Sequence, residues 1–170
     1  MKVLLLTLAL LLLSYIERVH LNNERKTYHN TIYLAANNEK MISENGPLRI
    51  YLRNIQGTYN GDLEITFYTR TNCTCQKFTC KAVKTEDIWF SMTYWGRNYL
   101  HVTRNKGAMG LVFLINVSED GDVTSVLVGT GPGSDLTPED FEIFKSKLRS
   151  LRMPLKNIIK VTETDTCPRD

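Results

Sequence analysis

The sequence predicts a mainly β protein: an eight-stranded antiparallel up-and-down β-barrel, with one C-terminal α-helix packed outside it and a short last strand. Three observations lead there. Short segments of alternating apolar and polar residues follow one another from residue 31 to residue 130, turn residues separate them, and one segment that is apolar on both faces precedes a helical stripe able to cover it.

The eight strand segments are 31–36, 47–56, 62–71, 75–84, 88–95, 98–104, 108–117 and 122–130. Asn45-Gly46-Pro47, Asn60-Gly61, Gly96-Arg97-Asn98, Lys106-Gly107 and Asp120-Gly121 lie between them and suit tight connections between antiparallel neighbours. In the second strand segment, within "GPLRIYLRNI", Leu48, Ile50 and Leu52 fall on one face and Arg49, Tyr51 and Arg53 on the other. Leu63, Ile65 and Phe67, then Phe78, Cys80 and Ala82, then Phe90, Met92 and Tyr94 continue the inward face, and Glu64, Lys77, Lys81 and Thr93 the wet one. Closing such a meander removes its unpaired edges, and eight strands enclose room for side chains plus one small ligand.

"GLVFLINV" at 110–117 breaks the alternation, so its outer face needs cover. Thr137 is a good N-cap, Pro138 fits the first helical position, and Asp140 completes a capping-box-like start. Phe141, Phe144, Leu148 and Leu151 form an apolar stripe predicted to dock on Leu111, Phe113 and Ile115. Pro154 ends the helix, and "NIIKV" at 157–161 reads as the last strand.

A chain of 170 residues, 42% hydrophobic and 23% charged, is enough for one domain with a core. Its 21 basic and 18 acidic residues are scattered, with no basic block to track phosphates, which argues against nucleic acid as a partner. Residues 1–20 read as a secretory signal peptide: Lys2 precedes an apolar run from Val3 to Leu13. The run is shorter than the roughly 20 residues a membrane span needs, and the cut falls within about 14–22. A retained anchor is the alternative. Secretion favours a disulfide among Cys73, Cys75, Cys80 and Cys167, whose spacing with His20, His29 and His101 forms no metal site. It also makes two sequons meaningful, at Asn72 and Asn116, each expected at a strand end or turn that accommodates a glycan. No paired carboxylates or serine–histidine–acid set can be placed inside, "GTGPG" at 129–133 lacks the rest of a phosphate loop, and no cofactor is implied.

"TIYLAANNEKMISENGPLRIYLRNI" (31–55), "FYTRTNCTCQKFT" (67–79), "LTPEDFEIFK" (136–145) and "NIIKVTETDTCP" (157–168) resemble the lipocalin family, in particular its mammalian odorant-binding, aphrodisin-like and probasin-like branch. The resemblance implies a calycin barrel over 21–170. Two family motifs are altered. Thr27-Tyr28-His29 stands where the family has Gly-x-Trp, and Thr130 where it has the basic residue beneath which that tryptophan closes the barrel floor; Thr103-Arg104-Asn105 replaces Thr-Asp-Tyr. By position, the family's cavity maps to Leu48, Ile50, Leu52, Ile55, Ile65, Phe67, Cys80, Met92, Tyr94, Leu100, Val112, Leu114 and Val128. Its recurrent bridge maps to Cys75 and Cys167, and its local second-turn bridge is replaced by Gly57 and Gly61.

The implied function is a secreted, extracellular carrier that reversibly binds a small hydrophobic molecule (odorant, pheromone or lipid-like) and catalyses nothing. Tyr94 carries a hydroxyl that either orients a ligand or bonds to backbone. Two other readings stay open. One is a filled barrel acting through protein contacts, such as a cell-surface receptor or a dimer joined by Cys73. The other is an isomerase using Cys80 as a cavity thiol, against which the family's known thiol enzyme places its nucleophile on a different strand. Cys73 and Cys80 are expected to lie beyond disulfide reach of each other.

Overall fold

The computed structural model describes residues 27–28 (backbone only), 30–86, 88–104 and 108–169. The leader at 1–20 with its cut, His20, His29, Asn105 and the Lys106-Gly107 turn lie outside the described residues.

Among the described residues, ten strands run antiparallel to their neighbours: β1 (Thr27–Tyr28), β2 (Asn30–Ala36), β3 (Tyr51–Gly57), β4 (Leu63–Thr71), β5 (Thr74–Glu86), β6 (Trp89–Thr93), β7 (Arg97–Arg104), β8 (Gly110–Val117), β9 (Val123–Gly131) and β10 (Ile159–Lys160). Their spatial order is β1-β3-β4-β5-β6-β7-β8-β9-β2-β10. Adjacent in sequence, β1 and β2 pair with opposite ends of the meander, β3 and β9. The sheet is therefore rolled up. The Leu52 N–H donates to Thr31 Oγ1 at 2.9 Å across the closing seam. Among the described residues, eight predicted wall strands become nine, because Thr27–Tyr28, ahead of the first predicted segment, forms a short strand of its own on β3; the class is the one expected.

The chain reaches β3 later than its alternation suggested. Residues 47–50 form turns, with Leu48 N–H donating to Met41 O and Arg49 N–H to Gly46 O, so Leu48 and Ile50 belong to a loop tucked into the barrel end. Within β3 the register slips between Leu52 and Asn54. That bulge at Arg53 explains why Leu52 and Ile55, three positions apart, face the same side opposite Phe67 and Ile65.

The outer face of β3 is not wet. Tyr51, Arg53 and Tyr68 are buried there, beneath a C-terminal tail bridged to β5 through Cys75–Cys167. Arg53 makes a bidentate pair with Asp165 at 2.8 and 2.7 Å and donates further to the carbonyls of Leu52, Cys167 and Pro168. All of its donors lie within this lock, and its guanidinium stands over the Tyr68 ring.

The helix, α1 (Pro138–Ser150), begins as the sequence predicts, with Thr137 Oγ1 accepting from the Asp140 N–H at 3.1 Å. Its docking site is displaced from the predicted one. Phe144 and Leu148 are fully buried against Leu111 of β8, Leu127 of β9 and Ala35 of β2, with Phe113 and Phe141 at the margin and Ile115 outside the cluster. Gly129 sets this position, since a Cβ there would lie 2.9 Å from the Phe144 ring. β10 pairs with β2 over two residues, after a 3-10 turn at Leu155–Asn157, and is shorter than predicted.

Candidate functional site

The barrel interior is stacked in layers fixed by strand register. Leu100, Leu114 and Val126 face one another in one layer, and Val102, Val112 and Val128 in the next. β3 and β4 add Leu52 beside Phe67 and Ile55 beside Ile65. Together with Ile50 and Met92, residues from these rows surround a central cavity of about 20 Å³. That is room for roughly one water molecule.

The positions expected to line the interior divide as follows. Ile50, Leu52, Ile55, Ile65, Phe67 and Met92 border the central cavity from β3, β4, β6 and the loop before β3. Leu100, Val112, Leu114 and Val128 border it from β7, β8 and β9. Leu48 is fully buried in the same core, within the loop over the barrel end. Cys80 and Tyr94 are partly buried against it.

Sequence reasoning left Phe78 out of this set. Its ring stacks on Phe67 at 5.3 Å, and Tyr94 meets both edge-on at 4.9 Å, so three rings pack together beside the cavity that Phe67 borders. The period-2 pattern that placed Phe78 inward was the available signal. Of the two roles open to the Tyr94 hydroxyl, the structure shows the second: it donates to Pro47 O at 2.7 Å and ties the overlying loop to the turn after β6. Burial raises its pKa.

Cys80 is half-exposed for a topological reason. β5 pairs with β6 only from Val83 to Glu86, so upstream of Val83 the strand has β4 alone and Cys80 borders a gap, its Sγ 4.0 Å from Thr93 O. Burial raises the thiol pKa, which keeps it protonated near neutrality and a weak nucleophile. Cys73 is exposed in the turn joining β4 to β5, and both thiols are free.

The two sequons differ sharply. Asn72 is exposed in that turn, with φ of 48° at Asn72 and 63° at Cys73, as the two-residue hairpin of this hand requires. Asn116 does not sit at an accessible strand end. It faces inward with 0% exposure, its Nδ2 donating to Trp95 O at 2.8 Å and Asn98 Oδ1 at 3.0 Å. A glycan on that nitrogen would have no route to solvent without undoing the contacts that hold the turn after β6.

Comparison with known proteins agrees with this geometry. Residues 29–165 match the model of the lipocalin / cytosolic fatty-acid binding protein family. The chain is 36% identical over 144 residues to aphrodisin of Cricetus cricetus, covering 81% of this chain and 83% of that protein. It is 31% identical over 140 residues to an odorant-binding protein of Phodopus sungorus, covering 82% and 93%. The crystal structure of aphrodisin, a sex pheromone from female hamster, superimposes with a TM-score of 0.81 at 32% identity, covering 85% of this chain and 99% of that one. A rolled antiparallel meander, an outer helix on its late strands and a tail bridged to β5, matched over most of their length by these proteins, place the chain in the lipocalin family.

Proposed function

We propose that this lipocalin is a secreted carrier that holds a small apolar molecule reversibly inside its barrel and catalyses no reaction. The observation that carries the reading is the apolar lining of the central cavity, with no polar or charged side chain among the residues around it. A molecule burying about 250–300 Å² of apolar surface gains about 6–8 kcal/mol before the costs of association. Because the resting cavity is about 20 Å³, part of that gain goes into moving Met92 and the Phe67–Phe78–Tyr94 rings aside. Dissociation constants in the micromolar range or weaker are expected. Selection then follows the size and shape that those side chains can accommodate.

The small cavity also favours a second reading, a filled barrel that acts through its surface. Titration of the monomer with a fluorescent naphthylamine, followed by displacement with aliphatic aldehydes and alcohols, separates the two. The carrier reading expects one saturable site emptied by competitors; a monomer that takes up no probe leaves the surface reading. A third reading, catalysis by Cys80, requires a turnover that Cys80→Ala abolishes.

The secretory part of the proposal has its own test. Expressed through a eukaryotic secretory route, the chain is expected in the medium with a glycan at Asn72 and none at Asn116. Asn72→Gln should remove the whole glycan mass in intact-protein mass spectrometry. A glycan retained in that variant would contradict the assignment.

A further inference from the structure

A cleft of about 240 Å³ opens where three parts of the chain meet outside the barrel. The loop before β3 contributes Glu44 and Asn45, β3 and β4 contribute Tyr51 and Arg70, and the C-terminal tail contributes Glu163 and Thr166. Arg49 holds these parts together. Its Nε donates to Tyr51 Oη at 3.1 Å, its Nη1 to Ile42 O at 3.0 Å and its Nη2 to Thr164 Oγ1 at 2.9 Å, so one guanidinium joins loop, strand and tail.

The charges of the cleft oppose one another. Two carboxylates, Glu44 and Glu163, share it with two guanidiniums, Arg49 and Arg70. A simple anion meets the carboxylates and a simple cation the guanidiniums, so the cleft selects neither. Among the described residues, the Glu44 and Arg70 side chains have no hydrogen-bond or ion-pair partner. With the Asn45 amide and the Thr166 hydroxyl they offer donors and acceptors together, which suits a neutral molecule rich in hydroxyl and amide groups. Since a space of roughly 150 Å³ accepts benzene, about 240 Å³ takes one six-membered ring with its substituents and not a second.

Asn72 stands at the edge of this cleft. Its N–H donates to Asn45 Oδ1 at 2.9 Å, and it follows Arg70 by two residues, so the exposed sequon is joined directly to two of the cleft's walls. We infer that the cleft is the seat of the first N-acetylglucosamine of a glycan on Asn72, held in cis through its hydroxyls and its acetamido group. Attachment is what makes so open a site effective. A sugar tethered at the rim is present at an effective concentration in the millimolar range or above, so contacts too weak to capture a free sugar suffice to seat this one. The seated ring ties the loop over the barrel end to β4 and to the tail. The inference rests on the proposal that Asn72 is glycosylated.

The test uses the full chain secreted by a eukaryotic host with high-mannose glycans and trimmed by endoglycosidase H to a single N-acetylglucosamine. Beside it stands Thr74→Ala from the same host, an exposed substitution that abolishes the sequon and keeps Asn72. The unaltered chain refolded from a bacterial host, which adds no glycan, shows what Thr74→Ala does by itself. The trimmed form should melt about 2–4 °C above the unglycosylated chain. Its amides at 44–46 and 163–166 should exchange about threefold more slowly. Arg70→Gln should remove at least half of that rise, while moving the melting temperature of the unglycosylated chain by less than about 1 °C. A sugar mass on Asn72 that leaves melting and exchange unchanged, or a rise that Arg70→Gln leaves whole, overturns the seat and lets the glycosylation reading stand. A secreted chain with no sugar mass on Asn72 removes both.

Discussion

Replacing Arg53 by alanine is expected to lower the stability of the folded chain by about 3–5 kcal/mol, read as a fall in the urea midpoint at unchanged slope. The reason is what remains behind. The Arg53 and Asp165 side chains are 5% and 1% exposed, so the substitution strands a carboxylate that neither water nor another cation can reach without opening the tail. It also leaves the Pro168 and Cys167 carbonyls without the donors they now have. Arg53→Met paired with Asp165→Leu should lose much less than Arg53→Ala alone, because removing both charges removes the desolvation cost that one stranded charge would carry. If Arg53→Ala unfolds at the same denaturant concentration as the unaltered chain, the lock contributes little and the tail is held by other contacts.

Arg53 also marks the boundary of what could be read without coordinates. Alternation in "GPLRIYLRNI" correctly put Leu52 inside, and the same alternation put Arg53 and Tyr51 in water. The pattern records which residues share a face; it does not record what lies against that face. The tail that covers it comes from more than 110 positions away, with Arg53 and Asp165 separated by 112 residues. No local period carries such information. Docking of α1 shows the same limit. Its cap and its stripe were legible because they depend on neighbours within one turn. Its shift away from Ile115 was not, since it depends on Gly129 leaving space that Phe144 occupies.

For the interior, the inward set follows from period 2 and the lipocalin resemblance, whereas the volume between those side chains depends on rotamers. Phe67, Phe78 and Tyr94 leave the centre nearly full. A larger space than the central one, about 100 Å³, lies at the level of Gly110 and Thr130, and at Thr130 the altered motif was visible in the sequence as a missing floor contact. Asn116 was misplaced because its triplet says nothing about which way a strand residue points; counting by twos from Val112 and Leu114 would have turned it inward.

Loss of the Cys75–Cys167 bridge is the second large effect, and its size depends on the first. The bridge spans 92 residues. In the chain-entropy model, opening a loop of that length costs about 4–5 kcal/mol, so Cys75→Ala with Cys167→Ala, or reduction, should lower the melting temperature by well over 5 °C. Yet Arg53 donates to Cys167 O, and Asp165 Oδ1 accepts from the Cys167 N–H at 3.2 Å, so the lock and the bridge hold the same few residues of tail. With the bridge gone, the lock must order the tail unaided. With Arg53 gone, the bridge still tethers the tail but cannot shield Asp165. Once either fails, part of what the other stabilised has already been lost. Combining Arg53→Ala with the cysteine substitutions should therefore destabilise by at least 1 kcal/mol less than the sum of the separate losses. Strict additivity in that cycle would show that the bridge acts on the unfolded chain alone, and that the folded tail owes its position to Arg53 and Asp165.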